Sequence, residues 1–142
     1  MAEPIKDQLV VSNDTRHLIV VRDFASRLIR QSRLPREEEN KIILAVDEAV
    51  TNIIEHGFDQ GVEGQIEIEV ETDPGKFVVI IRDNGRVFNP ESIPSPDMKE
   101  HLKAGRKKGL GLFLMRQIMD EVRYRFKDGV KNELTLVKLT SK

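Results

Sequence analysis

Apolar residues recur along this chain in two rhythms, and the switches between them mark out its elements. Leu9, Val10 and Val11 make a short apolar run that predicts a first strand, and Ser12, Asn13, Asp14 and Thr15 behind it are N-cap candidates. From Thr15 to about Arg33, Leu18, Val21, Phe24 or Ala25, Leu28 and Ile29 fall at intervals of three to four residues, the period of an amphipathic helix. Pro35 followed by Glu37, Glu38 and Glu39 opens a second helix, because proline fits the first turn and carboxylates favour the positive end of the helix dipole. It should run to about His56, with Gly57 as its stop.

The rhythm then changes to a period of two. Ile66, Ile68 and Val70 alternate with Glu67, Glu69 and Glu71, which predicts an antiparallel strand with one dry and one wet face. Thr72 to Gly75 is a turn, and the more apolar Phe77 to Arg82 completes a hairpin that ends at Asp83, Asn84 and Gly85. Asn89 to Lys108 has little periodicity, three prolines and a basic stretch, and a loop of that length predicts a functional lid. Gly109, Leu110 and Gly111 open a third helix reaching about Asp120, with Leu112, Met115, Ile118 and Met119 inward. Two strands follow, Val122 to Phe126 and Glu133 to Leu139, joined by a turn at Asp128-Gly129. This order predicts an α+β fold, a two-layer α/β sandwich with helices on one face of a mixed, mostly antiparallel sheet.

Composition narrows the function classes. At 142 residues and 39% hydrophobic, the chain is expected to form a single domain over 1–142. Its 23 Lys and Arg against 24 Asp and Glu give no basic surplus, so no nucleic-acid partner is expected. The absence of cysteine removes disulfides, thiolate catalysis and cysteine-bound zinc, and His17, His56 and His101 lack metal-ligand spacing. The N-terminus lacks the pattern of a signal peptide, and the longest apolar runs, Ile42 to Val46 and Phe77 to Ile81, are far shorter than the roughly 20 residues of a membrane span. The expectation is a soluble, cytoplasmic protein with no membrane association.

Three places carry candidate chemistry. On the second helix Ile42, Val46, Val50 and Ile53 share one stripe, while Glu48 and Asn52 lie on the opposite side, about 40° apart at 100° per residue. Such an i,i+4 pair is the ordinary content of a solvated face. Chemically, it would pair a carboxylate that orients a nucleophile with an amide oxygen suited to Mg²⁺, which keeps water and phosphate for its other ligands. Asp83-Asn84-Gly85 reads as a plain turn, or as a buried carboxylate that accepts from an amino group beside a glycine that lets a flat ring approach. Gly109-Leu110-Gly111-Leu112 opens a helix, where backbone N–H groups and the dipole favour phosphate. Lys107 and Lys108 just before it are either a solvated basic loop or a neutralising pair for a terminal phosphate. The segment is not a Walker A loop, which requires G-x-x-x-x-G-K-[ST].

In order, Glu48-x-x-x-Asn52 on a helix, Asp83-x-Gly85 after a strand and Lys108-Gly109-Leu110-Gly111-Leu112 at a helix start resemble the N, G1 and G2 boxes of the GHKL superfamily, the ATPases shared by DNA gyrase, histidine kinases, a heat-shock chaperone and MutL. The likeness sharpens to the anti-sigma factor serine/threonine kinases through Leu44 to Phe58, Gly109 to Met115, Met119 to Val122 and Asn132 to Lys138. It implies a Bergerat fold that binds ATP and Mg²⁺ under the lid. By that resemblance Asp83 receives the adenine amino group, Gly85 passes close to the base and Asn52 holds the metal. Lys107, Lys108, Gly109 and Gly111 serve the phosphates, with Phe88, Leu110 and Leu112 in the same nucleotide-binding set. Glu48 matches the general base that takes the proton of a serine or threonine hydroxyl on a partner. The threonine that supports the adenine-binding aspartate in many members aligns with Asn132, and Thr135 is three residues on, so either residue is a candidate. Val87 replaces the second glycine of an extended D-x-G-x-G box.

The resemblance further implies a sigma factor that is bound, a STAS-domain anti-anti-sigma protein that is phosphorylated, and a homodimer. A partner-switching module that binds ATP without kinase activity is the alternative, against which Glu48 argues, since binding alone needs no base. A detached histidine-kinase catalytic domain would lack its dimerisation hairpin here, and a gyrase-like or MutL-like ATPase its transducer domain.

Overall fold

A computed structural model describes residues 4–32, 34–56, 63–85, 110–127 and 131–140, with backbone alone at 56, 110–112 and 126–127. The elements follow the expected order: β1 (Lys6–Ser12), a 3₁₀ turn (Thr15–His17), α1 (Leu18–Gln31), α2 (Arg36–His56), β2 (Gln65–Asp73), β3 (Lys76–Asp83), α3 (Leu110–Ile118), β4 (Glu121–Lys127) and β5 (Lys131–Leu139). Gly57 as a helix stop, the lid from Asn89 to Lys108 and the turn at Asp128-Gly129 lie outside the described residues.

The predicted first helix starts one turn late. Asp14 Oδ1 accepts from the Arg16 N–H at 2.8 Å and its Oδ2 holds the Arg16 guanidinium, while the His17 N–H closes on the Asp14 carbonyl at 3.0 Å. That local cap tightens the first turn into i→i+3 bonds, and regular α-helix begins only at Leu18. Three side-chain contacts hold α1 antiparallel to α2: Arg22 Nε to Asp47 Oδ1 at 2.7 Å, and both Arg30 Nε (2.7 Å) and Ser26 Oγ (3.1 Å) to Glu39 Oε1.

The sheet runs β1-β2-β3-β5-β4, and every ladder among the described residues is antiparallel, so the mixed sheet expected above is corrected to an antiparallel one. Connectivity explains the difference. Two described helices lie between β1 and β2, and an odd number of chain reversals returns β2 antiparallel to β1. β3 and β4 both run antiparallel to β5, so they point the same way, and β5 hydrogen-bonds between them and separates the parallel pair.

Register places Ile68 beside Ile81 and Leu134, and Val70 beside Val79 and Leu136. Hence the period-two apolar residues of three central strands form one continuous face. It packs on Val21, Phe24 and Leu28 of α1, Ile42, Val46 and Val50 of α2, and Met115 of α3, all buried in one core. Each fully buried aliphatic side chain contributes about 1.5–3 kcal/mol, so this face fixes both register and layer order. At the far end of the layer Lys138 Nζ donates to the Ile118 carbonyl at 2.8 Å and pairs with Glu38 at 3.7 Å, tying β5 to the C-terminus of α3 and the start of α2.

Candidate functional site

The same register that aligns the core ends it on polar groups. One pair beyond Ile81 and Leu134, Asp83 stands opposite Asn132 on the helix-facing side, and both are 4% exposed. Asn132 Nδ2 donates to Asp83 Oδ1 at 3.1 Å and to the Gly85 carbonyl at 3.2 Å, and the Gly85 N–H donates to the same Oδ1 at 2.9 Å. Among the described residues both hydrogen bonds to the carboxylate go to Oδ1, which leaves Oδ2 as an acceptor for an incoming N–H. Burial raises the Asp83 pKa above its ordinary value, and the bonds from Asn132 and Gly85 oppose that rise. Of the two residues considered for supporting Asp83, the hydrogen bond comes from Asn132. Asn132 reaches it, whereas Thr135, three residues on, has the opposite strand parity and pairs with Ile80 and Arg123. It shares the outer face with Glu133.

The outer face carries a second polar assembly directly behind this one. Arg82 donates through Nη1 to Glu67 and Glu69, each at 2.9 Å, and through Nε to Glu133 at 3.0 Å, clamping β3 to both neighbouring strands. Periodicity marked Glu67 and Glu69 only as wet-face residues, and their convergence on one guanidinium becomes visible once β2, β3 and β5 are in register. Tyr124 is another residue that no sequence pattern singles out. It is half-buried on the core face of β4, and burial, followed by the Asp83 charge, pushes its hydroxyl above the ordinary tyrosine range.

On α2, Glu48 and Asn52 are both partly exposed, on the side away from the buried Ile42, Val46 and Val50. The Glu48 pKa is raised, first by burial and then by the charges of Asp47 and Glu55, so its carboxylate has an increased affinity for a proton. The backbone at Leu110, Gly111 and Leu112 forms the first turn of α3, as the glycine pattern predicted. Phe88, Lys107, Lys108 and Gly109 lie outside the described residues. His17 Nδ1 is 3.0 Å from Ser12 Oγ, a local contact at the start of the first helical turn.

The residues fit a nucleotide with its metal. Asp83 offers an oriented acceptor at the end of the core, and Asn52 a neutral oxygen. Among the described residues no group of three or more His, Asp or Glu forms a metal cage, and Mg²⁺ held mainly by water and phosphate needs none.

Residues 11–138 match the family model described as the histidine kinase-like ATPase domain. The chain belongs to that family. Within the histidine kinase-like ATPases it is similar to the serine-protein kinase RsbW of Listeria monocytogenes serovar 1/2a, 35% identical over 96 residues that cover 65% of this chain and 61% of that one. The RsbW of Staphylococcus aureus strain MSSA476 is 36% identical over 97 residues, with the same shares of the two chains. The serine/threonine-protein kinase BtrW of Bordetella bronchiseptica is 34% identical over 95 residues, or 67% of this chain and 66% of that one. The matches to RsbW thus span about three-fifths of those relatives' length. No helix among the described residues is long and apolar enough to cross a membrane.

Proposed function

We propose that this histidine kinase-like ATPase domain is an ATP-dependent protein serine/threonine kinase and anti-sigma regulatory factor. It binds a sigma factor and phosphorylates a STAS-domain anti-anti-sigma protein, acting as one cytoplasmic domain over 1–142 and pairing as a homodimer. The observation that carries the kinase reading is Glu48: a partly exposed carboxylate with raised proton affinity, one helical turn from Asn52 on the face of α2 turned away from the core. The serine-protein kinase names of the relatives support it.

In this reading Asp83 Oδ2 accepts from the adenine amino group while Asn132 and the Gly85 N–H keep Oδ1 fixed. Gly85 presents no side chain to the base, and Phe88, Leu110 and Leu112 border the nucleotide. Asn52 turns its amide oxygen to Mg²⁺. Backbone N–H groups of Gly109 and Gly111 and the ammonium groups of Lys107 and Lys108 meet the phosphates. Glu48 takes the proton of the acceptor hydroxyl as that oxygen bonds to the γ-phosphorus and the bond to the β–γ bridging oxygen breaks. Bound Mg-ATP supplies the phosphoryl group and an ADP leaving group whose charge the metal neutralises.

Incubation with Mg-ATP and the STAS-domain proteins of the source genome, followed by phosphosite mass spectrometry, tests this. A single phosphorylated serine or threonine is expected. Nucleotide binding without any phosphorylated protein would favour the partner-switching module instead.

A further inference from the structure

On the face of α2 that carries Glu48, Ala45 is buried at one edge, and the positions that reach solvent are polar except at Leu44. At 100° per residue, Glu37, Lys41, Thr51, Asn52 and Glu55 all fall within about 60° of Glu48, and so does Leu44, about 40° away and one turn earlier. Leu44 is 39% exposed, although the apolar stripe of the helix is otherwise buried or half-buried on the opposite side. Lys41, one further position back on this face, is exposed and takes no ion pair among the described residues. An exposed leucine beside an unpaired cation contributes little to the stability of the fold.

Its position relative to the proposed chemistry gives it a use. Asn52 lies on the C-terminal side of Glu48, and the nucleotide is assigned there. A protein hydroxyl that meets Glu48 must therefore bring its surroundings over the N-terminal side, where Leu44 and Lys41 stand. We propose that Leu44 and Lys41 form the docking point for the phosphoacceptor protein, which places an apolar side chain on Leu44 and a carboxylate on Lys41 while its serine or threonine reaches Glu48. This rests on the kinase reading of Glu48. The acceptor is thereby defined chemically: its apolar contact lies about one helical pitch, 5–6 Å, from the phosphorylated hydroxyl, and its acidic group about twice as far. Leu44 and Lys41 set specificity by contact and take no part in the transfer itself.

The test is steady-state phosphotransfer to the STAS-domain protein that the wild type phosphorylates, with KM and kcat measured separately and ATP affinity followed with a fluorescent analogue. L44D should raise the KM for the acceptor about tenfold or more, the effect of losing one buried leucine contact, with kcat and ATP affinity within twofold of wild type. K41E should raise the same KM several-fold, and L44M should restore it. L139D is the control, an equally apolar and more exposed position (59%) on the other face of the sheet, and should change nothing. An unchanged acceptor KM in L44D, an equal rise in L139D, or a fall in kcat without a KM effect would overturn the docking assignment while leaving the kinase reading intact. A wild type that transfers to no protein would overturn both.

Discussion

In the proposed function nucleotide recognition turns on Asp83, and the surroundings of that residue assign opposite signs to stability and binding. Burial raises its pKa, so the folded chain keeps the Asp83 proton to higher pH than the unfolded chain does. Its contribution to stability is therefore greatest below the ordinary carboxylate range and falls as pH rises through the folded value. D83N removes that cost while leaving an oxygen for Asn132, and its Tm at neutral pH should equal or exceed that of the wild type in a thermal melt. Its nucleotide affinity should fall by about 2–3 kcal/mol, or roughly thirty- to a hundred-and-fiftyfold, since the charged acceptor is lost; calorimetric titration with ATP measures this. Glu48 makes a separate prediction. With its pKa raised by burial and by Asp47 and Glu55, the acidic limb of the kcat–pH profile should lie above 4.5, and E55Q, which removes one like charge, should move it down. Of these residues Asp83, Glu48 and Asn52 were legible in the sequence, because spacing within one helix or one turn is local. Which of Asn132 and Thr135 faces Asp83 needed the strand's parity against β3, and the nearness of Tyr124 to Asp83 needed β4 to be placed across β5 from β3.

At the scale of elements, the end of the sheet that holds Asp83 and Asn132 is fixed from behind by Arg82. Glu67 and Glu69 come from β2 and Glu133 from β5, so one side chain on β3 fastens three strands at the row beside the site. R82M leaves three partly buried carboxylates without their cation and should cost about 2 kcal/mol or more in urea denaturation, with ATP affinity falling as Asp83 and Asn132 drift apart. The sign with pH follows from Glu69, whose pKa is lowered by hydrogen bonds from Glu71 and then Arg82. That stabilisation is complete above 4.5 and is lost as pH falls through the lowered folded value, so the wild-type advantage over R82M should shrink on acidification. Amphipathic periods located each described helix and strand, although β1 begins three residues before the run from Leu9 to Val11. The late start of α1 was hidden by four consecutive N-cap candidates, among which only the Asp14 geometry discriminates.

For the whole molecule, layer order follows from faces that the sequence already shows as dry or wet, while strand order does not. Nothing in the period of two says that β5 enters between β3 and β4. Yet that insertion sets Asn132 against Asp83 and makes the sheet antiparallel throughout its described ladders. In the proposed function one chain of this fold both holds ATP at Asp83 and transfers its phosphoryl group through Glu48. Phosphotransfer from Mg-ATP to a STAS-domain protein by wild type and E48Q side by side, with nucleotide binding followed in the same samples, tests this. Equal ATP affinity and a loss of transfer of about 10²- to 10⁴-fold in E48Q are expected. Transfer by E48Q at the wild-type rate would contradict the proposal.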